Sequence, residues 1–171
     1  MRGERKISKL IAEFTGCAVW RGDDFMFVLG DGVPGIQWTD GEDAVLNKIW
    51  AYRLMEDYGF KLTNQNVFIM SILHEVGHAM TVDKFSTKHW NDEFAKKEKI
   101  SEEMTKENFF EKNQEYFLMP TEKAATDWAV EYYNNNQDEI RVWQHRLNCA
   151  VKHYEKVSGR QVFERFWLWV I

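Results

Sequence analysis

The sequence predicts a single α+β domain in which helices dominate, and three observations support this fold class. The 171 residues suit one domain, and 44% hydrophobic and 15% aromatic side chains are enough for a sizeable core. Only two prolines and ten glycines occur, which favours helices over a chain rich in sharp turns. β-Prone runs lie near the N-terminus, and apolar residues at helical spacing follow them.

Charge and cysteine content exclude several classes of function. The chain carries 22 Lys+Arg against 27 Asp+Glu, so no basic footprint for nucleic acid or anionic lipid is visible. Cys17 and Cys149 lie far apart, which excludes a disulfide scaffold and predicts reduced thiols. The charged start does not resemble a secretory signal, and no apolar run approaches the roughly 20 residues of a membrane span. We therefore expect a cytoplasmic protein without a membrane span or a nucleic-acid partner.

The N-terminal part of the chain is expected to supply the β-structure. Residues 18–29 contain two β-prone runs around a turn, which predicts a hairpin, and residues 36–38 can add a short strand. N-cap residues at 40–43 then precede helical spacing over residues 44–58, which Gly59 ends.

The next predicted helix is apolar on nearly every side. Asn64 or Asn66 can cap it, and it runs to about Met80. A helix that is hydrophobic all round is typical of a buried position in the core. This helix is therefore the expected centre of the domain.

The rest of the chain consists of a highly charged segment followed by two predicted helices. Residues 83–115 contain seven Lys and nine acidic residues, which predicts solvated helices or a charged lid inserted in the domain. Helices are then expected at 121–135 and 138–157, separated by an asparagine-rich break. We take residues 1–171 as one domain, with 136–171 as a C-terminal helical extension. Its apolar end either closes the core or binds a partner or a membrane surface.

One motif inside the buried helix carries metal chemistry. His74 and His78 form the ends of an H-E-x-x-H segment, and residues four apart project from one helix face about 6 Å from each other. Two imidazoles at this spacing can bind one zinc ion. Glu75 is rotated about 100° from His74, so its carboxylate can reach a water on the metal without being a ligand. Buried histidines and a buried glutamate would otherwise each carry a desolvation cost.

A third protein ligand is required, and two glutamates are candidates. The extended motif with a third histidine is excluded, because Lys84 stands where that histidine would be. Glu98 lies in a run that looks solvated, whereas Glu122 begins a stripe of small residues that can pack beside the histidine helix. We favour Glu122 over Glu98 for this reason.

These residues resemble those of a known family. HEVGH, followed some forty residues later by Glu-x-x-Ala-x-x-x-Ala, resembles the gluzincins, and more closely the small intracellular ImmA/IrrE-type peptidases. The resemblance covers about residues 67–135. It implies a helix-dominated minimal zincin fold, in which a short N-terminal sheet packs on the HExxH helix. It also implies zinc ligation by His74, His78 and Glu122. Glu75 would then be the catalytic base.

The expected activity is that of a zinc metallopeptidase acting on a protein or peptide substrate. Glu75 would take a proton from the attacking water and hand it to the leaving amine. Tyr133, on nearly the same helix face as Glu122, is the expected donor to the oxyanion, with Tyr132, His145 and His153 as alternatives. Where relatives of the family often carry Asp or Asn to orient a ligand histidine, this chain has Thr126.

Two other functions remain open from the sequence. The zincin fold can serve as a catalytically inactive binding or inhibitor module in which zinc is structural. The chain can also be a metal-dependent hydrolase whose substrate is not a peptide. For the peptidase, the β-prone residues 25–29 or 36–38 could present an edge to an extended substrate.

Overall fold

The computed structural model describes residues 2–16, 19–21, 27–29, 56–59, 64–105 and 107–158. A single helical turn is present at residues 56–58, and a 3₁₀ turn, Val82–Lys84, follows the second of the longer helices. The longer helices are α1 (Arg2–Thr15), α2 (Asn64–Thr81), α3 (Thr87–Glu103), α4 (Phe109–Phe117), α5 (Pro120–Asn135) and α6 (Gln137–Ser158).

The prediction of an α+β fold with an N-terminal sheet is wrong for the described part of the chain, which is mainly helical. Extended pairing there is limited to two segments of three residues, β1 (Val19–Arg21) and β2 (Phe27–Leu29), which run antiparallel. The main helix neighbour of this ribbon is α1. Strands this short bury little apolar surface, so the ribbon does not form the sheet that was expected on the HExxH helix. The strand expected at 36–38 and most of the helix expected at 44–58 lie outside the described residues.

Helix α1 was not predicted, although its sequence carries a helical pattern. Ile7, Leu10 and Ile11 are buried in the core, and Phe14 continues the same stripe one turn later. Charged residues between these positions interrupt the apolar run, so the helical stripe is not evident from hydrophobicity alone. Gly16, with φ +69°, ends the helix, and its N–H donates to the carbonyl of Ala12 at 2.9 Å.

The prediction of a buried helix at 64–80 is confirmed by α2. Its buried residues meet α5 and α6, and α6 also packs against α1. The helices predicted at 121–135 and 138–157 are confirmed by α5 and α6 to within one residue at each end. The main core side chains from α2 are Ile69, Met70, Ile72 and Leu73, and those from α6 are Ile140, Leu147, Ala150, Val151 and Tyr154.

The charged segment 83–115 folds as α3 and α4, which are mostly exposed. One stripe of α3 is an exception, because Glu93 and Ile100 are buried and Lys97 lies between them. The C-terminal extension consists of α6 as far as residue 158, and the apolar run after it lies outside the described residues. Among the described helices, none combines the length and the apolar character needed to cross a bilayer.

Gly77 sets how closely α2 approaches α5. A Cβ atom at this position would lie 2.4 Å from the carbonyl oxygen and 3.0 Å from the Cα of Ala125. Backbone atoms cannot move aside as a flexible side chain can. Ala125 and Ala129 on the facing helix are fully buried, so small residues line both sides of this contact. The two helices therefore meet backbone to backbone beside the HExxH motif.

Replacing Gly77 by alanine is expected to destabilise the protein. The change from glycine to alanine would by itself stabilise the helix by about 1 kcal/mol. A net loss of stability can therefore be attributed to the clash with Ala125. Overpacking costs about 1–3 kcal/mol, and a clash with a backbone oxygen at 2.4 Å belongs at the upper end of that range. After subtraction of the gain from alanine, a loss of about 2 kcal/mol remains, which predicts a melting temperature lower by roughly 4–8 °C. Thermal unfolding followed by circular dichroism measures this, with Met80→Ala as control because Met80 is on the same helix and 61% exposed. An unchanged melting temperature for Gly77→Ala would contradict the close approach.

Candidate metal centre

Three donor side chains, two from α2 and one from α5, converge at the contact between these helices. The Nε2 atom of His74 lies 3.1 Å from Oε2 of Glu122, and Nε2 of His78 lies 3.4 Å from the same oxygen. All three residues are buried, and their donor atoms lie within 4.8 Å of one another. The structure thus contains a buried group that could hold a metal ion, built from the residues named by the sequence motif.

Local helix geometry explains how the donors reach one point. His74 and His78 are one turn apart on α2, and their ring centroids are separated by 4.7 Å in an edge-on arrangement. Glu122 lies in the first turn of α5, two residues after Pro120 at the helix start. Because Gly77 allows the two helices to approach, the short glutamate side chain spans the remaining distance.

The separations of the donors fit a divalent metal with tetrahedral ligands. Zinc bonds of about 2.0–2.1 Å to nitrogen and oxygen give distances of roughly 3.3 Å between neighbouring ligand atoms. The two Nε2–Oε2 distances, 3.1 and 3.4 Å, bracket that value. An arrangement of two imidazoles and one carboxylate also leaves a fourth position for water or substrate, as in catalytic zinc sites.

A hydrogen-bond chain orients His74 toward this point. Thr126 Oγ1 donates its single proton to the backbone carbonyl of Glu122 at 2.9 Å. It therefore accepts from Nδ1 of His74, which lies 3.0 Å away. In a metal-bound state this arrangement would leave the Nε2 lone pair of the imidazole for the ion, on the side where Nε2 lies 3.1 Å from the carboxylate of Glu122. Thr126 thus supplies a hydrogen bond that fixes the orientation of the His74 ring.

His78 is oriented by its neighbours' rings rather than by a second hydrogen bond. Its Nδ1 atom is buried and has no hydrogen-bond partner among the described residues. The ring packs edge-on against His74 on one side and lies 6.2 Å, centroid to centroid, from Trp90 on another. Trp90 is itself held by a hydrogen bond from its Nε1 to the carbonyl of Val82 at 3.1 Å.

The electrostatics of the cluster favour the protonation states that metal ligands need. Burial lowers the pKa of His74 below its ordinary value, and the hydrogen bond to Glu122 offsets this only in part. Burial acts to raise the pKa of Glu122, but hydrogen bonds from His74 and His78 outweigh it and hold that pKa well below the ordinary range. Both shifts favour what metal binding requires, which is an ionised Glu122 carboxylate and a His74 imidazole that gives up its proton readily.

Glu75 differs from Glu122 in its environment. Its side chain is half-buried next to His74, and burial raises its pKa well above the ordinary value. The negative charge of Glu122 raises the pKa further, and the positive charge of Lys97 opposes both effects. A carboxylate whose pKa is raised toward neutrality is suited to taking up and releasing a proton.

The structure does not bring the expected oxyanion donors to the metal cluster. Tyr133 lies eleven residues beyond Glu122, about 16 Å further along α5, and packs against the hydrophobic core. Tyr132 stacks on Trp128 with the ring centroids 5.0 Å apart, on the same distant part of the helix. On α6, His145 and His153 are exposed. Glu98, the alternative third ligand, is exposed on α3.

Tyr116 on α4 lies near the cluster through its contact with Lys97, the partner of Glu122, and no pattern in the sequence predicted this. Burial raises its pKa, and the negative charges of Glu122, Glu75 and Glu93 raise it further, so the phenol stays protonated. Its ring lies 5.2 Å from the Nζ atom of Lys97. Tyr116 belongs to the charged segment that looked solvated, and no local pattern predicts that α4 packs against α5.

Comparison of the chain with protein-family models, curated proteins and solved structures gives no match. The resemblance to the gluzincins therefore rests on the HExxH and Glu122 motifs.

Proposed function

We propose that the chain is a zinc metallopeptidase that hydrolyses peptide bonds of an intracellular protein substrate. The observation that carries this proposal is the convergence of two Nε2 atoms on one carboxylate oxygen, at 3.1 and 3.4 Å, with Glu75 next to His74 in the chain. Two imidazoles and one carboxylate are a donor set that zinc favours in hydrolytic enzymes. The cytoplasm is the proposed compartment, in keeping with the free surface thiol of Cys149.

The residues divide the chemistry among them. His74, His78 and Glu122 would hold the ion, and Thr126 would keep the ring of His74 aligned. A zinc ion bound there lowers the pKa of a coordinated water toward about 7 and polarises a carbonyl group. Glu75 would take the proton of the attacking water on its carboxylate and deliver it to the nitrogen of the leaving amine. Its raised pKa supports both halves of this proton transfer.

Tyr116 is proposed to donate a hydrogen bond to the oxyanion that forms at the substrate carbonyl. Support comes from its ring, which lies 5.2 Å from the Nζ atom of Lys97, the partner of Glu122, and from its pKa, which burial and the charges of nearby carboxylates raise. Tyr116→Phe is expected to lower kcat by about 10²–10³-fold, the usual effect of losing one such donor. Tyr133→Phe is the matched control and should leave kcat unchanged, because Tyr133 packs on the core instead. Equal rates for the two variants would remove Tyr116 from the mechanism.

Metal removal tests the proposal as a whole. The purified chain should contain close to one equivalent of zinc by elemental analysis and should cleave a mixture of unfolded proteins. Cleavage should stop when a chelator removes the metal, and it should return when one equivalent of zinc is added, because the donors are already assembled. Mass spectrometry of the products would locate the cleaved bonds.

The binding module is the main competing outcome of this experiment. A chain that holds one equivalent of zinc tightly but cleaves no peptide substrate would contradict the peptidase and favour structural zinc. A chain that binds no divalent metal would contradict both functions.

A further inference from the structure

Lys97 is an unusual side chain in the charged segment, because it points into the protein. Its side chain is 17% exposed, whereas that of Lys99 on the same helix is 74% exposed. The Nζ atom lies 2.5 Å from Oε1 of Glu122 and 3.4 Å from the hydroxyl of Thr121. A lysine this far from water requires acidic partners to remain charged.

A second carboxylate fixes the position of Lys97. Oε1 of Glu93 lies 3.8 Å from Nζ, one helical turn away on α3. Glu93 is in turn anchored on α5, because its carboxylate accepts hydrogen bonds from the hydroxyl of Thr121 and, at 3.2 Å, from its backbone N–H. The Nε2 atom of His89 lies 3.0 Å from the other oxygen of Glu93. Both ends of the Glu93–Lys97 pair are therefore attached to the first turn of α5.

This attachment supplies a cap that α5 lacks in its own sequence. Met119 occupies the N-cap position and has no side-chain hydrogen bond to the helix. Glu93 takes over that role from a different helix, and a negative charge at a helix N-terminus is favourable. The turn that carries Glu122 is thus held by α3.

The two oxygens of Glu122 have different partners as a result. Oε1 accepts the hydrogen bond from Lys97, and Oε2 faces the Nε2 atoms of His74 and His78. A free carboxylate can bind a metal through one oxygen or through both. With Oε1 held by the ammonium group, only Oε2 is available to a metal. The ring of Tyr116 lies 5.2 Å from Nζ and limits where the ammonium group can move.

We propose that Lys97 is a positioning residue that restricts Glu122 to binding the metal through one oxygen. The proposal rests on the proposed metal centre, and it explains why the fourth coordination position of a bound metal would stay open to water or substrate. Binding through both oxygens would occupy the place that water and the substrate carbonyl need. Lys97 acts only through Glu122 and touches neither the metal nor the substrate.

Cobalt substitution gives a readout that a merely structural lysine would not change. Tetrahedral Co²⁺ absorbs visible light more strongly than five-coordinate Co²⁺, so the spectrum reports whether Glu122 contributes one oxygen or two. The wild-type protein loaded with Co²⁺ should show the intense tetrahedral spectrum. Lys97→Met keeps the length of the side chain and removes its charge, so this variant should lose intensity as Oε1 joins the metal.

Two further variants serve as controls. Lys97→Arg retains a positive charge within reach of Oε1 and should largely restore the wild-type spectrum. Lys99→Met removes an exposed lysine from the same helix and should leave the spectrum unchanged. Circular dichroism and the Co²⁺ content check that each variant folds and binds one equivalent.

The outcomes separate this proposal from the proposed function. A Lys97→Met protein that binds Co²⁺ with the wild-type spectrum would overturn the role of Lys97 and leave the metal centre intact. Failure of the wild-type chain to bind Co²⁺ would overturn the metal centre itself. If Lys97→Met does not fold, the spectrum of the Co²⁺-loaded wild-type protein still tests the proposal. A five-coordinate spectrum of the wild type would contradict binding through one oxygen of Glu122.

Discussion

Replacement of Glu75 by glutamine is expected to abolish hydrolysis while the metal stays bound. Glutamine has the size of glutamate but cannot take a proton from water, and general-base catalysis of this kind is worth about 10²–10⁴-fold in rate. The three donor atoms of the cluster belong to other residues, so zinc content should remain at one equivalent. The measurement is kcat/KM on a cleaved peptide, together with elemental analysis of the same preparation.

The pH dependence of the wild-type enzyme should agree with this role. A protonated Glu75 cannot act as base, so activity is expected to fall as the pH drops through its pKa, which burial and Glu122 raise above the ordinary value. An acid limb at the ordinary pKa of an exposed glutamate would contradict the assigned environment. Full activity in Glu75→Gln would exclude Glu75 as the base.

The stability of the metal-free protein supplies an independent control for the same variant. A raised pKa means that the native state binds more protons than the unfolded state between the ordinary and the raised values. Stability from this group therefore falls as the pH rises through that window. Glu75→Gln removes the penalty, so the chelated variant should melt above the chelated wild type at neutral pH. The two should converge in acid, where Glu75 is protonated in both states.

The second large effect is expected from Glu122→Ala. Loss of a ligand should weaken zinc binding by more than about 100-fold. Mutation of residues that only hydrogen-bond to metal ligands already lowers metal affinity by about 10–100-fold. Glu98→Ala is the matched control, since Glu98 is the competing candidate and is exposed on α3. Competition with a chromophoric chelator measures both affinities. Glu98→Ala should bind zinc like the wild type.

Glu122→Ala also removes the partner of Lys97, so a milder variant is needed beside it. Glu122→Gln keeps the size of the side chain and one carbonyl oxygen, and it lacks the charge that holds Lys97 and the cation. Both variants should fold, as judged by circular dichroism, and both should bind zinc weakly. Tight zinc binding by folded Glu122→Ala would refute Glu122 as the third ligand.

Several elements could be predicted from the sequence because their signals are local. Helices α2, α5 and α6 carry apolar patterns and flanking breaks that are complete within each segment. The class of the fold could not be predicted in the same way. Short β-prone runs near the N-terminus suggested a sheet, but in the described residues they form only a small ribbon beside α1. Strand pairing depends on distant partners, which local propensity does not reveal.

The sequence by itself determined the imidazole pair and the neighbouring carboxylate, because residues 74, 75 and 78 lie within one and a half turns of a single helix. Only the tertiary structure decided which carboxylate completes the cluster and which groups surround it. That decision depends on the close contact of Gly77 with Ala125, which brings Glu122 to the histidines. The roles of Lys97 and Tyr116 depend in the same way on how α3 and α4 pack on the first turn of α5. Contacts between helices are set by the shape of whole surfaces, so the spacing of small residues after Glu122 favoured this contact but did not fix it.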